Sequence, residues 1–168
     1  MLNFKHIATF LLLFIFILAC KKSGTINLPD GGSYKGIISN GKPNGKGKLV
    51  FHDLNYEGDF LNGKRHGNGI QSWTSGLHQG ESYLGEWKND ERDGYGIHVW
   101  PDGRKYTGKW KSNRQNGKGV LTNANGDSYN GHFKDDQPEG EGIHTKADGS
   151  IIFKGQWTKG KPVKKIII

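Results

Sequence analysis

One short pattern recurs through most of this chain. A Tyr-x-Gly tripeptide is followed, 11 and 13 residues after its tyrosine, by the two glycines of a Gly-x-Gly pair. A half-copy begins at Phe153, and the five complete copies begin at Tyr34, Tyr56, Tyr83, Tyr106 and Tyr129. Successive copies start 22 to 27 residues apart. A period in this range is typical of stacked supersecondary units, each of which buries its apolar face against its neighbours.

Each copy has the pattern of a β-hairpin. In the third copy, Tyr83, Gly85 and Trp87 occupy alternate positions and therefore lie on one face of a strand. The polar segment 88–93 is predicted to be the turn, and 94–100 the returning strand. The sequence thus predicts an all-β fold, an elongated single-layer twisted antiparallel sheet of tandem hairpins that follows an N-terminal signal helix.

The aromatic residues share three positions of the repeat, when the first tyrosine, or Phe153 in the half-copy, is counted as position 0. Outside residues 1–19, positions 0, 4 and 17 hold 14 of the 15 aromatic residues. Glycine at position 2 is predicted to leave room for these rings over the backbone. Because tyrosine and tryptophan often anchor interfaces, the rings are candidates for a ligand-binding groove. The alternative is packing between repeats, which is expected more at positions 0 and 4 than at position 17. The candidates are Tyr34, Phe51, Tyr56, Phe60, Trp73, Tyr83, Trp87, Trp100, Tyr106, Trp110, Tyr129, Phe133 and Trp157.

The N-terminal residues 1–19 have the features of an export signal. The apolar run from Ile7 to Ala19 is shorter than the ~20 residues that a membrane-spanning helix needs. Ile17-Leu18-Ala19-Cys20 resembles the lipobox of bacterial lipoproteins, in which the cysteine is acylated. Cys20 is the only cysteine of the chain, so no internal disulfide can form. Residues 1–19 are therefore predicted to be a lipoprotein signal peptide, with an ordinary signal peptide or a marginal membrane anchor as the alternatives.

These features divide the chain into four segments. They are the signal peptide 1–19, a tether 20–30, a repeat domain 31–157 of five repeats and a half-repeat, and a tail 158–168. The tail ends in three isoleucines and is predicted to add a capping strand to the edge of the sheet, or alternatively to insert into a partner or a membrane. Acylated Cys20 would hold the protein at a membrane of a bacterial cell envelope. The lysine after it favours the outer membrane over the inner one.

The repeat is similar to the MORN repeat, a tandem module built on Tyr-x-Gly-x-Trp, a turn and Gly-x-Gly. The resemblance covers residues 31–157 and implies a sheet of successive hairpins with an aromatic-lined groove. In MORN proteins enzymatic activity resides in an appended domain, and the tail 158–168 is too short to be one. The second repeat departs from the pattern by an insertion between Trp73 and Ser82, which is predicted to form a longer loop.

No motif for catalysis or for a cofactor is recognisable. The chain has no Gly-x-Ser-x-Gly and no phosphate-binding loop, and no helix is predicted after its Gly-x-Gly pairs. The histidines, the residues most often used as metal ligands, are interpreted as surface or half-buried residues. His98 and His144 share a repeat position but lie too far apart in the predicted sheet to share a metal ion. The chain is therefore predicted to be no enzyme and to carry no cofactor or metal. Acidic residues of the predicted turns are interpreted as solubilising groups; they are Asp90, Glu91, Asp135, Asp136 and Glu139.

The charge pattern bears on the partners. The formal net charge is +8, with both signs interspersed along the repeats. The basic residues near the turns are solvated groups, or they attract anionic lipid head groups or acidic polysaccharide; an exported chain is not expected to bind nucleic acid. The predicted function is a non-enzymatic binding or scaffold lipoprotein that mediates protein–protein or protein–membrane interaction through the groove. The alternative is a module that binds anionic lipid head groups or envelope polysaccharide.

Overall fold

The computed structural model describes residues 22–166, which form one open antiparallel sheet of thirteen strands. Each strand pairs with its neighbours in the sequence, so the spatial order is the chain order. The predicted all-β sheet of tandem hairpins is confirmed, whereas the predicted signal helix and Cys20 lie outside the described residues. The strands are β1 (Lys22–Asn27), β2 (Ser33–Ser39), β3 (Lys42–Phe51), β4 (Leu54–Leu61), β5 (Lys64–Trp73), β6 (Ser82–Lys88), β7 (Glu91–Val99), β8 (Lys105–Lys111), β9 (Arg114–Thr122), β10 (Ser128–Lys134), β11 (Gln137–Thr145), β12 (Ile151–Thr158) and β13 (Lys161–Lys165).

The insertion of the second repeat contains a single helical turn. Gly76–His78 forms this 3-10 turn between β5 and β6, and Leu77 on it is 99% exposed. Within residues 22–166, no helix has both the length and the apolar character that a membrane crossing requires.

Two-residue turns close the hairpins. In the third repeat β6 ends at Lys88 and β7 begins at Glu91, so only Asn89 and Asp90 form the turn, with φ of 52° and 73°. Positive φ at both central residues is the mark of a type I′ turn, which matches the twist of the flanking strands. The predicted six-residue turn 88–93 was therefore too long, because residues 91 to 93 already belong to the returning strand.

The first glycine of each Gly-x-Gly pair lies at an irregularity of the ladder. In the third repeat the register shifts between the pair Gly85–Gly96 and the pair Trp87–Arg92, and Gly94 lies on the segment between them with a φ of 118°. A β-bulge of this kind places a residue in a conformation that favours glycine. The first glycine has positive φ in all five repeats; these residues are Gly45, Gly67, Gly94, Gly117 and Gly140.

A continuous row of glycines crosses the sheet from β1 to β12. From the second repeat onward, the register pairs the glycine of each Tyr-x-Gly with the second glycine of a Gly-x-Gly pair on each side; Gly36 of the first repeat pairs with Gly24 and Gly47. A Cβ atom on Gly96 would lie 2.3 Å from the hydroxyl oxygen of Tyr83, so the tyrosine ring occupies the space that a side chain would need. The prediction that glycine leaves room for the rings is confirmed. The row is Gly24, Gly36, Gly47, Gly58, Gly69, Gly85, Gly96, Gly108, Gly119, Gly131, Gly142 and Gly155.

The core is a row of rings on one face of the sheet, which we call the aromatic face. Tyr83 is fully buried and meets Trp87 of its own repeat at a ring-centroid distance of 5.1 Å and Trp110 of the next repeat at 5.5 Å, both edge to face. Its hydroxyl donates a hydrogen bond to the backbone oxygen of Glu86 at 3.0 Å. Burial raises the pKa of Tyr83, so the phenol stays neutral and acts as a donor. The core therefore joins each repeat to the next one.

Both ends of the described chain extend the sheet. The segment expected to be a tether instead contains β1, in which Gly24 pairs with Gly36 and Ile26 packs against the core. The alternation of Gly24 and Ile26 matches that of the repeats, which explains this difference. At the other edge β13 pairs with β12, where the sequence predicts a capping strand, and Ile166 donates a backbone hydrogen bond to Lys154 at 2.9 Å. Residues 167–168 lie outside the described part.

Candidate binding groove

The structure places most of the predicted contact aromatics in the core. The rings that remain half-buried, and that solvent can reach, are Phe51, Trp73 and Trp100. Since a buried ring offers almost no surface to a ligand, its role is packing between repeats. The buried rings are Tyr34, Tyr56, Phe60, Tyr83, Trp87, Tyr106, Trp110, Tyr129, Phe133 and Trp157.

A groove of about 430 Å³ lies over the aromatic face of the central repeats and is called the central groove here. Four of the five buried polar residues line it, namely Gln71, Glu81, His98 and Gln115; Ser39 is the fifth. Burying polar groups is unfavourable unless each one finds a partner, so this concentration marks a specialised site. The full lining is Arg65, Gln71, Trp73, Glu81, Trp87, Asp90, Arg92, His98, Trp100, Trp110, Asn113, Gln115 and Asp136.

Two positions of the repeat distinguish the central repeats from the outer ones. Position 9 lies directly opposite the aromatic residue of position 4; Arg92, for example, pairs with Trp87. The outer copies carry proline there and the three central copies carry polar residues; in chain order they are Pro43, Arg65, Arg92, Gln115, Pro138 and Pro162. Position 15 varies similarly, as Leu49, Gln71, His98, Leu121 and His144. At these two positions, polar side chains thus replace apolar ones in only some of the repeats.

Two arginines form the floor of the central groove by stacking on core rings. The guanidinium carbon of Arg65 lies 4.3 Å from the ring centre of Trp87, and that of Arg92 lies 4.3 Å from that of Trp110. Both contacts have the geometry of cation–π interactions. The Nε atom of Arg65 is 3.1 Å from the Oδ1 atom of Asp90, and an Nη2 hydrogen bond of 3.0 Å reaches the backbone oxygen of Asp90. Arg65 is therefore paired with a carboxylate.

Arg92 occupies the equivalent place in the next repeat with different partners. Its Nη2 atom donates to the backbone oxygen of Asn113 at 2.9 Å, and its Nη1 atom lies 3.0 Å from the Nδ1 atom of His98. No carboxylate of residues 22–166 forms a salt bridge with it. Burial lowers the pKa of the Arg92 guanidinium. Asn113 stands where the neighbouring repeat has Asp90, which accounts for the missing salt bridge.

The insertion of the second repeat closes one side of the central groove. Glu81 returns from the loop and is 8% exposed. Its Oε1 atom lies 2.7 Å from the Nε2 atom of His98, and its Oε2 atom lies 2.6 Å from the Nδ1 atom of His78. His98 is only 3% exposed, so its interpretation as a surface or half-buried residue was wrong. Glu81 and Arg92 satisfy both ring nitrogens, which makes this burial possible.

The surroundings of His98 favour its neutral form. Burial lowers its pKa, the positive charge of Arg92 lowers it further, and the hydrogen bond with Glu81 opposes both effects. In the neutral ring Nε2–H donates to Glu81 and Nδ1 accepts from Arg92, an assignment that follows from the partners. A proton on Nδ1 would face the guanidinium directly.

This neutral histidine predicts a pH-dependent stability. Because the pKa is lowered on folding, the unfolded chain binds the additional proton below about pH 6.5, and the stabilisation present above that pH is lost as the pH falls. The urea midpoint should therefore decrease between about pH 7.5 and pH 5.5, and His98→Gln, which introduces the residue of the preceding repeat at Gln71, should flatten that decrease. His144→Gln, at the same repeat position outside the groove, is the control. Equal slopes for the parent and His98→Gln would contradict the assignment.

The repeats match a known sequence family. The family described as MORN repeat matches residues 34–55, 56–78, 83–103, 106–128 and 129–151, which is more than half of the chain. The chain belongs to the MORN-repeat family. No curated protein matches it. In this MORN-repeat protein Glu81 falls between two matched repeats, so the carboxylate that closes the central groove comes from the insertion.

The polar residues of the central groove were not predicted from the sequence. The signal that could have revealed them is the comparison of position 9 between copies, where Arg65, Arg92 and Gln115 interrupt a series of prolines. The predicted groove aromatics include only two lining rings that solvent reaches, Trp73 and Trp100. Among the described residues, no three histidine, cysteine or acidic side chains are grouped so as to hold a metal ion.

Proposed function

We propose that this MORN-repeat protein is a non-enzymatic binding and scaffold module of a bacterial cell envelope, with the central groove as its contact surface. The proposal rests on the replacement of proline by arginine and glutamine at position 9 of three consecutive repeats. Apolar side chains at these positions would avoid the cost of desolvating two guanidinium groups on folding. The presence of polar side chains instead points to recognition of a partner. The ring row beneath fixes these groups, which reduces the entropy lost on binding.

The bonding of the titratable groups supports a binding role over a catalytic one. Glu81 and His98 are both buried and bonded to each other, and the second oxygen of Glu81 meets His78. The carboxylate of Asp90 is likewise engaged by Arg65. A general acid or base must reach the proton that it transfers. We therefore assign these groups to positioning the arginines and to shaping the groove.

A lipid anchor at Cys20 is the second part of the proposal. The sequence before this cysteine resembles a lipobox, and only Lys21 separates it from β1. Acylation with more than one chain gives stable membrane attachment, where a single chain does not. Such an anchor would hold the first strand of the sheet beside the bilayer, and Lys21 after the cysteine favours the outer membrane.

A lipid anchor at Cys20 predicts a specific intact mass for the purified protein. Protein purified from a membrane fraction should have the intact mass of residues 20–168 plus acyl chains, because cleavage before Cys20 accompanies acylation. The variant Cys20→Ser should lack the acyl mass and, because cleavage accompanies acylation, should keep residues 1–19. Cys20 is the only cysteine, so no other thiol could carry the modification. An unmodified mass in the parent protein would remove the anchor from the proposal.

The contact surface is tested by photocrosslinking in intact cells that produce the full chain. A photoreactive amino acid in place of Trp100, at the rim of the central groove, should give a discrete adduct. The matched control replaces Tyr95, which is 54% exposed and is the one aromatic residue of the described part outside positions 0, 4 and 17. Adducts of equal yield from both positions, or none from Trp100, would contradict a binding role for this groove.

A further inference from the structure

We infer that the central groove binds a glycan that carries carboxylate groups, with a sugar ring against Trp73 and a carboxylate paired with Arg92. The inference rests on the proposed function, since it names the ligand of the same groove. Three observations carry it: the type of polar group that lines the groove, the absence of a salt bridge at Arg92, and the two half-buried indole rings.

The polar side chains of the central groove are planar groups. The structure brings together guanidinium, amide, carboxylate and imidazole groups along this groove. A planar group with two adjacent donors or acceptors can bond two neighbouring hydroxyl groups at once. Neighbouring hydroxyl groups are the hallmark of a sugar ring. A groove that receives an amphipathic helix is lined instead by apolar side chains.

Of the two arginines that line the groove, Arg92 is the one without a salt bridge, so it can pair with a carboxylate of a ligand. Each carboxylate that lines the groove already has a donor: Glu81 meets two histidines, Asp90 meets Arg65, and Asp136 accepts the backbone N–H of Gln115 at 2.8 Å. Arg92 has only the neutral acceptors His98 and Asn113, although a guanidinium carries five N–H donors. A ligand carboxylate would supply a bidentate, charge-assisted partner to this half-buried cation.

The indole rings set the direction of the ligand. Trp73 and Trp100 occupy position 17 of successive repeats, on β5 and directly after β7. Two strand spacings separate them by roughly 10 Å, about the length of a disaccharide, so a glycan that runs across the strands reaches both. The C–H face of a sugar ring is apolar and packs on an aromatic face. His78 lies 5.8 Å from the ring of Trp73, while the cation of Arg104 lies over Trp100. Trp73 is therefore the better platform.

The neighbouring repeat provides a variant that tests the charge without disturbing the fold. Asn113→Asp reproduces the arrangement of Arg65 and Asp90 around Arg92, since both turn residues have positive φ and the same hydrogen bonds to the arginine backbone. The substitution should give Arg92 a carboxylate partner within the protein, which would compete with a carboxylate of the ligand. Trp73→Ala removes the ring platform, and Tyr95→Ala, on an exposed ring outside the groove, is the control.

The experiment measures binding of the full chain to three series of uronic-acid oligosaccharides, the galacturonate, mannuronate and hyaluronate series. The methyl esters of the galacturonate series serve as neutral counterparts. The free acids should bind, and the neutral esters should bind at least about tenfold more weakly. Asn113→Asp and Trp73→Ala should each weaken binding to the acids by about tenfold or more, with an unchanged urea midpoint for Asn113→Asp and unchanged binding for Tyr95→Ala.

Three results would overturn the inference. They are absence of binding to every acidic oligosaccharide, equal binding of acid and ester, and binding that Asn113→Asp leaves intact. Phosphatidylglycerol vesicles and a poly-glutamate peptide are measured in parallel, and a preference for either would assign the groove to another class of anion. If the oligosaccharides fail while crosslinking from Trp100 succeeds, the inference falls and the proposed function stands.

Discussion

Gly85→Ala is expected to destabilise the protein by about 3 kcal/mol or more, near the upper end of the range for overpacked sites. A Cβ atom at this position would lie 2.5 Å from the Cα atom of Gly96, 2.6 Å from the backbone oxygen of Tyr95 and 2.6 Å from the hydroxyl oxygen of Tyr83. Two of these atoms belong to the backbone of the paired strand, so relief requires the strands to separate. The urea midpoint, followed by tryptophan fluorescence, measures the effect.

Gly24→Ala is the matched control in the same glycine row. The only neighbour of its added Cβ atom is the Cδ1 atom of Ile38 at 3.0 Å, the flexible end of a side chain. The loss should stay below about 1 kcal/mol. Similar midpoints for Gly85→Ala and the parent protein would show that the tyrosine and the neighbouring strand do not approach the glycine as closely as described.

Tyr106→Ala should cost about 3–5 kcal/mol, as for other aromatic residues truncated in a core. The side chain is fully buried, and its ring meets Trp110 at 5.2 Å and Phe133 at 5.1 Å. Because these partners belong to two successive repeats, the cavity would uncouple the halves of the sheet. The urea transition is expected to broaden or to divide into two steps, which fluorescence and circular dichroism would report at different midpoints.

Two variants separate the contributions to this effect. Tyr106→Phe keeps the ring but removes the hydrogen bond to the backbone oxygen of Lys109, so about 1 kcal/mol should be lost. Tyr95→Ala removes an exposed ring of the same type and should stay within about 0.5 kcal/mol. A loss for Tyr95→Ala as large as that for Tyr106→Ala would contradict the assignment of the core to one face.

The fold was predictable because the copies of the repeat carry the same residue types at the positions that define the repeat. Glycine between two aromatic residues has one explanation in a strand, which is that a ring needs the space, and Tyr83 over Gly96 shows this contact. Turn length was less predictable. Glu91 and Arg92 are polar and were therefore assigned to the turn, although polarity cannot distinguish a turn from a strand with partly exposed side chains.

The central groove was predictable only in part, because it depends on the register between strands. Arg92 and Trp87 are five residues apart in the sequence, and their contact across a two-residue turn follows only once the turn is known. Glu81 lies in an insertion without a counterpart in the other repeats, so no comparison between copies indicates its direction. The buried rings were correctly placed on one face, and the expectation that packing prevails at positions 0 and 4 over position 17 agrees with their burial.

The strictly sequential strand order has a mechanical consequence. The chain enters the sheet at one edge, in β1, and leaves it at the other, in β13, so tension between its two ends acts across the strands. The tension then acts on the strand pairs one after another, along the direction of their hydrogen bonds. The outermost strand can separate from the sheet before the next strand pair bears the force. We expect such a sheet to yield stepwise at low force and to close again one hairpin at a time. If Cys20 is held in a bilayer and the groove is held by a ligand, the strands between them act as an extensible spacer.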